Sequence, residues 1–457
     1  MKSLIVIFCT YFLKTMFNFK MGLIVCLCGT ASIVFHASAQ EAWTLEQCIR
    51  YAFDNNIQLK QQLLGTDQAE NNLLQSKINL FPNLNASSSY NSAKGRVWDD
   101  NTANFVEGSA VHSLSGRISS SVVLFSGFQQ KNAIERNRFF LQVSIQNVEK
   151  LKNDLSINIA LLYLQIIHAQ EQLTVAENQL KLTLLQIERT KSLVDAGSVS
   201  EGELFEIQSQ AANEELQIVT ASNMLESAQL DLIQMLDLKT RKDFQVVVPD
   251  FSNIGITEYA GSVDDVFSIA EGTLPEIKAA EYHLAAADKS LAIAKGARSP
   301  QLSLSGGFNT SYSNNWDMKL WEQLSQNYTM SVGVGLNIPI FNGWQAQTNI
   351  KNAKLNQRNY QYQLQLAQNT LYKEIQQAHA DAAAALKRYL AATKAVTALE
   401  ETFRYTEQRY EIGIMNFVDY TTAKTRLTVT QSELLQAKFE YIFKTKILDF
   451  YNGQPIR

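Results

Sequence analysis

Leu124-Phe125-Ser126-Gly127-Phe128-Gln129 recurs as Ile340-Phe341-Asn342-Gly343-Trp344-Gln345, and 340 minus 124 sets the offset at 216 residues. Upstream of each copy the residues alternate apolar and polar; downstream a very long helical pattern begins. Leu193-Val194-Asp195-Ala196-Gly197 and Arg409-Tyr410-Glu411-Ile412-Gly413 keep the same spacing. Asn79-Leu80-Phe81-Pro82-Asn83-Leu84 answers Ala297-Arg298-Ser299-Pro300-Gln301-Leu302, where 300 minus 82 gives 218. Each half, 40–260 and 261–457, therefore reads helix, strand, strand, helix, helix. Two copies of such long elements do not make a solenoid. A duplicated half predicts two similar units side by side around a common axis.

Outward from the repeated joins run the helices. From Gln130 to Ala196 and from Gln345 to Ile412 there is neither proline nor glycine, and Leu155, Ile159, Leu162 and Ile166 mark a stripe at helical spacing. A rod of about 67 residues is roughly 100 Å long. Ser126 and Asn342 are expected as N-caps. Gly197 and Gly413 suit a left-handed C-terminal cap, after which shorter helices follow at about 201–238 and 416–451. Single helices of about 36 residues are expected ahead of the strands, with Gly272 and Pro275 interrupting the start of the second. Glutamine, asparagine, threonine and alanine flank the apolar stripes where a two-stranded coiled coil would carry a Glu/Lys rim. That favours helices with neighbours on both sides over a dimeric stalk.

The clearest alternation is Tyr328 to Ile340, where each even position is apolar and almost every odd one is small or polar. Strands are expected at about 83–92, 112–125, 301–312 and 328–341, long enough to cross a bilayer when tilted. Ser92 to His112 and Ser313 to Asn327 join them as long polar loops, with Trp98, Trp316, Trp321 and Tyr328 near the strand ends. That is the pattern of an outer-membrane barrel rather than a soluble sandwich. Four strands cannot close a barrel in lipid, and open edges are not tolerated there. Oligomerisation is required; a homotrimer supplies twelve strands and twelve helical positions.

Lys14 and Lys20 precede an apolar run from Met21 to Phe35, and Ala37-Ser38-Ala39 supplies small residues before Gln40. The run is short and a cleavage site follows, so residues 1–39 predict a signal peptide rather than a retained anchor. Its removal takes three lysines and no acid, which moves the formal charge from −4 to −7 and leaves Cys48 as the single thiol. No internal disulfide can form, and the acidic balance excludes nucleic acid as a partner. His112, His168, His283 and His379 stand far apart, so no metal spacing, nucleotide loop or catalytic constellation points to an enzyme or a cofactor. His168 and His379, in matching rods, are expected to be packing or tunnel-wall residues.

With the duplicated half, the Phe125-Ser126-Gly127 and Phe341-Asn342-Gly343 joins, Pro82 and Pro300, and the turn Tyr410 to Asp419, the chain resembles the TolC family of outer-membrane efflux proteins. The resemblance covers essentially all of the sequence after the signal. It implies a mainly α fold with a membrane β-barrel: a trimeric twelve-stranded barrel in Gram-negative outer-membrane lipid, continued by a long periplasmic α-helical barrel. It also implies docking of the helical tips onto a periplasmic adaptor that connects to an inner-membrane pump, proton-driven or ATP-driven. Small-molecule efflux is the favoured role; the alternatives are an outer-membrane channel for ATP-driven protein or peptide secretion and, in another class, a coiled-coil adhesin.

Family practice places adaptor contact at the turns, here Gly197 and Ser198 in one copy and Gly413, Ile414 and Met415 in the other. It places an acidic iris at the periplasmic entrance, where Asp419 holds one carboxylate position and Thr422 departs from the second. Tyr410 matches a tyrosine that holds the closed entrance, and Met415 replaces an arginine of the same latch. Glu203 is the counterpart of Asp419 in the first half (419 minus 216) and is expected to contribute to the same field. The plain alternative for Asp419 is a solvated first-turn residue suited to the helix dipole.

Overall fold

Every long breaker-free run is a single helix in the computed structural model, which describes residues 42–99, 103–108, 110–239, 244–249, 259 and 261–456. The expected signal segment 1–39 lies outside the described residues. The first half contains α1 (Leu45–Asn55), α2 (Ile57–Ile78), β1 (Asn85–Lys94), a small hairpin of β2 (Val97–Asp99) and β3 (Asn104–Val106), β4 (Ala110–Phe125), α3 (Gln129–Asp195) and α4 (Glu201–Met235). The second repeats the plan with α5 (Val263–Thr273), α6 (Pro275–Gly296), β5 (Gln301–Ser313), α7 (Leu320–Gln326), β6 (Tyr328–Asn337), α8 (Gln345–Glu411) and α9 (Phe417–Tyr451). Helices α3 and α8 are 67 residues each, about 100 Å at 1.5 Å per residue.

Three expectations are corrected. The interruption expected near Gly272 and Pro275 falls at Leu274 (φ −70, ψ 136), and the helix of the first copy is in two pieces as well, broken where Asn56 (φ −58, ψ 127) leaves the helical region. Pro275 opens α6 at its first position, where no N–H is needed. Asn56 does the equivalent work with its side chain, accepting from the Leu59 N–H at 3.1 Å and donating to the Met235 carbonyl at 3.1 Å. Ser126 and Asn342 are not the N-caps of the rods: Phe128 (φ 62) and Trp344 (φ 65) occupy that position, with no side-chain cap. The chain leaves the strand through two consecutive left-handed residues, Gly127 (φ 64) with Phe128 and Gly343 (φ 60) with Trp344. The backbone carbonyls of Ser126 and Asn342 accept from Gln129 and Gln345 at 3.3 and 3.2 Å, and the Asn342 side chain still accepts from the Ala346 N–H at 3.5 Å. Finally, the last strand stops at Asn337 rather than 341, because Pro339 has no N–H to offer a ladder.

The sheet is an antiparallel meander in the order β1-β4-β5-β6, and the β4–β5 pair joins the two halves. One face carries Leu114, Ile118, Leu304, Phe308, Val332 and Val334, and serine dominates the other. Every residue of β1 and β6, the two edge strands, is exposed.

Near the sheet α3 packs between α2 and α6, and α6 packs on α8; farther away α3 packs between α4 and α9, and α9 packs on α8. The halves thus interleave in one unit, Ala42–Arg457. A core belt lies where α1 crosses the rod, with Cys48, Ile49, Leu59, Ile159, Ile166 and Leu232 all buried. Burial pushes the Cys48 thiol up to about 12, so it acts as a small hydrophobe. The second copy of this belt joins Val266, Ala270 and Ile277 to Leu371 and Ile375. His168 and His379 pack edge-on against Phe439 and Tyr259, each at 6.4 Å.

The two joins differ in their surroundings. A Cβ on Gly127 would stand 2.5 Å from the Gly296 carbonyl oxygen, and one on Gly296 would stand 2.5 Å from that of Gly127, whereas a Cβ on Gly343 meets nothing within 4 Å. Gly296→Ala is therefore expected to cost roughly 1–3 kcal/mol through overpacking, and Gly127→Ala that amount plus about 1–2 kcal/mol for its left-handed backbone. Gly343→Ala is expected to cost no more than about 1–2 kcal/mol for its left-handed backbone. Urea unfolding of the detergent-extracted protein measures all three, and equal losses at Gly127 and Gly343 would contradict the packing difference.

Candidate functional site

At the end of the rods farthest from the sheet, each helix pair turns back through the same motif. Gly197 (φ 69) and Gly413 (φ 74) follow the last helical turn. Their N–H groups donate to Val194 and Tyr410 at 2.8 and 3.0 Å, while Ser198 and Ile414 donate to Leu193 and Arg409 at 2.8 and 3.0 Å. These paired bonds satisfy carbonyls that the helix end leaves open. Ser200 and Asn416 cap the returning helices, accepting from Glu203 at 3.4 Å and Asp419 at 2.8 Å. Ile412 and Ile414 are about two-thirds exposed at the second turn, with Met415 half-buried beside them.

Of the predicted entrance residues, the fold brings Tyr410 and Glu203 together. Tyr410 at the end of α8 accepts from Gln186 Nε2 of α3 at 3.0 Å and donates to Glu203 Oε1 of α4 at 3.4 Å. Its ring stacks on Tyr420 of α9 with centroids 4.6 Å apart. Burial, ahead of the Glu203 charge, pushes the Tyr410 hydroxyl above the ordinary tyrosine range, so it stays a donor at physiological pH. Burial likewise pushes Tyr420 up to about 12, with Glu407 the next cause. Arg189 and Glu411 add an ion pair at 3.6 Å, both half exposed, which contributes under about 1 kcal/mol.

Asp419 and Thr422 stand apart from this cluster. Tyr420 and Lys424 turn inward on α9, so their neighbours Asp419 and Thr422 fall on other faces and are exposed. Asp419 sits in the first turn, where a carboxylate complements the helix dipole. Thr422 donates to the Val418 carbonyl at 2.8 Å and lines a groove of about 530 Å³ with Glu206, Gln210 and Arg426. Glu206 is its counterpart in the first half (422 minus 216), so the carboxylate absent from one copy is present in the other, across the same groove.

Sequence reasoning missed a buried polar layer above the turns. Lys424 is buried and its ammonium donates to Thr183 Oγ1 of α3 at 3.0 Å. Glu214 of α4 is 1% exposed, accepting from Gln179 at 3.2 Å and Gln210 at 2.9 Å, while its second oxygen is buried without a hydrogen bond. Thr428 donates to Gln179 Oε1 at 3.3 Å. Burial pushes Lys424 below the ordinary lysine range, and the charges of Glu214 and Glu407 act against that shift. The available signal was the i, i+4 row Tyr420, Lys424, Thr428, which sets a charge on an inward stripe. Among the described residues no cluster of His, Cys, Asp and Glu could hold a metal, and no helix is long and apolar enough to cross a membrane.

The model of the family described as outer membrane efflux protein matches residues 48–237 and 267–443, one segment in each half. Outer membrane protein TolC of Vibrio cholerae is 22% identical over 289 residues, which is 63% of this chain and 65% of that relative's length. Outer membrane protein TolC of Escherichia coli is 22% identical over 412 residues, covering 89% of this chain and 81% of that one. A crystal structure of CusC shares the fold with a TM-score of 0.77 at 20% identity, over 89% of this chain and 91% of that one.

Lys424→Ala removes the ammonium beside Thr183 and leaves Glu214 buried, a change expected to cost roughly 1–3 kcal/mol through the lost hydrogen bond and packing. The double substitution Lys424→Met with Glu214→Gln removes both charges at similar volume and is expected to recover most of it. A loss under about 0.5 kcal/mol in the single variant, by chemical unfolding, would show that water reaches the layer.

Proposed function

Since the chain belongs to the outer membrane efflux protein family, we propose that three copies form the outer-membrane exit duct of a tripartite efflux system. In this reading the duct passes small molecules, delivered by an inner-membrane pump through a periplasmic adaptor, to the outside. It moves solutes without chemistry of its own. The observation that carries it is the sheet: four strands with an apolar face and two fully exposed edges. In lipid those edges need partners, and β6 of one copy beside β1 of the next supplies them around a threefold axis.

The dimensions agree with a membrane position. Ten residues of β6 at about 3.3 Å each, tilted by about 40°, span roughly 25 Å, the height of the apolar band of such barrels. Exposed aromatics stand at both limits, Phe128, Phe341 and Trp344 at the joins and Tyr90, Trp321 and Tyr328 at the other end. Along the rods, α8 exposes Leu355 and Leu366, and the opposite margin exposes Leu64 of α2 and Leu216 of α4. These apolar margins are what a neighbouring copy would cover. The turns Gly197–Ser198 and Gly413 to Met415, with Ile412 and Ile414 exposed, are then the adaptor-docking surface, and Asp419, Tyr410, Glu203 and Thr422 lie at the periplasmic entrance.

Electron microscopy of detergent-extracted protein is expected to show a hollow cylinder far longer than a bilayer is thick; a solid stalk or a flat ring would sink the duct. Val332→Arg with Val334→Arg should cost roughly 2–4 kcal/mol each near the bilayer midplane and abolish trimers in the outer-membrane fraction. At the entrance, Asp419→Asn should lower cation selectivity and trivalent-cation block in planar bilayers at low salt. Unchanged selectivity and block, also with Glu203→Gln added, would leave Asp419 a surface residue.

A further inference from the structure

The polar face of the sheet holds one charge. Ser87, Arg117, Asn309 and Thr329 stand opposite one another across β1, β4, β5 and β6, midway along β4. The other residues on that face are mostly serine, asparagine, threonine and glycine, and none of the four strands contains Asp or Glu. Lys94 and His112 have the opposite parity and belong to the apolar face. Arg117 Nε donates to Asn309 Oδ1 at 2.7 Å, which holds the exposed guanidinium along the wall beside Ser87, Ser115 and Thr329. In the hairpin beyond the strands, Arg96 is already paired with Glu107 at 2.9 Å.

We infer that Arg117 makes the bore of the barrel an anion-attracting ring, opposite in sign to the acidic entrance at the far end of the duct. The inference rests on the trimeric barrel proposed above, in which the serine-rich face lines the bore and three copies of Arg117 share one level. Twelve strands about 4.8 Å apart and tilted by about 40° close at a radius of roughly 12 Å. A guanidinium held along the wall and reaching roughly 4 Å inward lies within the ~10 Å Debye length of the axis at 0.1 M salt. Three such charges about 8 Å from the axis, screened in water, raise the local anion concentration about threefold and lower that of cations by a similar factor. Solutes carrying a carboxylate, sulfonate or phosphate group are the class favoured at this level.

The competing role for Arg117 is a neutral one, a cross-strand bond that ties β4 to β5. Charge and bond separate by substitution. Planar-bilayer reversal potentials are measured across a KCl gradient near 0.1 M for Arg117→Gln, Arg117→Lys and Asn309→Ala. Each is made both in the wild type and in an Asp419→Asn background that weakens the entrance field. Arg117→Gln is expected to raise the potassium-to-chloride permeability ratio by up to about ninefold, the product of the two factors, an effect lost at 1 M salt, where the Debye length is about 3 Å. Arg117→Lys and Asn309→Ala keep the charge and are expected to keep the ratio. Channels whose ratio is unmoved by Arg117→Gln in both backgrounds, or moved as far by Asn309→Ala, would overturn the ring alone. Absence of any channel from the wild-type protein would overturn the barrel and the ring together.

Discussion

Backbone hydrogen bonding at the margins of the sheet is the constraint on which the rest of this molecule depends. β1 and β6 are ten residues each and fully exposed. In hydrocarbon each unsatisfied N–H or carbonyl costs several kcal/mol, so two bare edges would outweigh the whole marginal stability of an ordinary fold. Side chains cannot remove that cost; a second copy can. The same margin continues down the molecule, where α3 is flanked on both sides by its own chain, α8 is covered on one side only, and the outer flanks of α8, α2 and α4 keep exposed leucines. In the proposed trimer, the edge paired in the membrane and the apolar margin paired in water are then one continuous surface.

The order of the helices nearest the sheet repeats the order of the strands. α2 leads into β1, β4 into α3, α6 into β5 and β6 toward α8, and both layers run in that sequence across the molecule. Their natural spacings conflict. In the proposed barrel tilted strands occupy about 6 Å of circumference each, while packed helices need 8–10 Å. Every chain crossing must therefore step outward over a few residues. The doubled left-handed turns at Gly127-Phe128 and Gly343-Trp344 make that step on the way down, and the proline-containing bends at Pro82 and Pro300 make it on the way up. A left-handed aromatic residue costs about 1–2 kcal/mol, and in the proposed barrel the mismatch between layers gives that cost a purpose.

That origin explains what could be read in advance. The 216-residue offset, the breaker-free rods, the glycine turns and the alternation from Tyr328 are local signals, and the helices, strands and turns they imply are present within a few residues. Features set by distant partners were illegible. Ser126 and Asn342 look like caps, but the step at the join decides the backbone there. The break at Asn56 depends on the Met235 carbonyl, 179 residues away. Tyr410 and Glu203 could each be picked out beside the turns, yet only the fold puts them in contact, whereas Asp419 and Thr422 remain on exposed faces. The inward position of Lys424 was readable from the row it shares with Tyr420, but its partners belong to the other half.

Those partners also distinguish the seams within the helical wall. α3 with α4, and α8 with α9, meet along long contacts that bury Ile207, Ala211 and Leu232 in the first pair and Ala378, Ala382 and Leu448 in the second. The seam between α3 and α9 is sparser, and near the turns it is made of Gln179, Thr183, Lys424 and Thr428. Separating an apolar seam exposes surface at about 25 cal/mol per Å². Separating a polar one returns an ammonium and hydroxyls to water, which offsets most of the broken hydrogen bonds. The two helix pairs are therefore the stiff bodies, and the line between them is where the wall yields at least cost. Tyr410 sits at the foot of that line, bonded to Gln186 and Glu203 on one side and stacked on Tyr420 on the other. One side chain so placed resists the parting of two pairs that the seam above it holds only weakly.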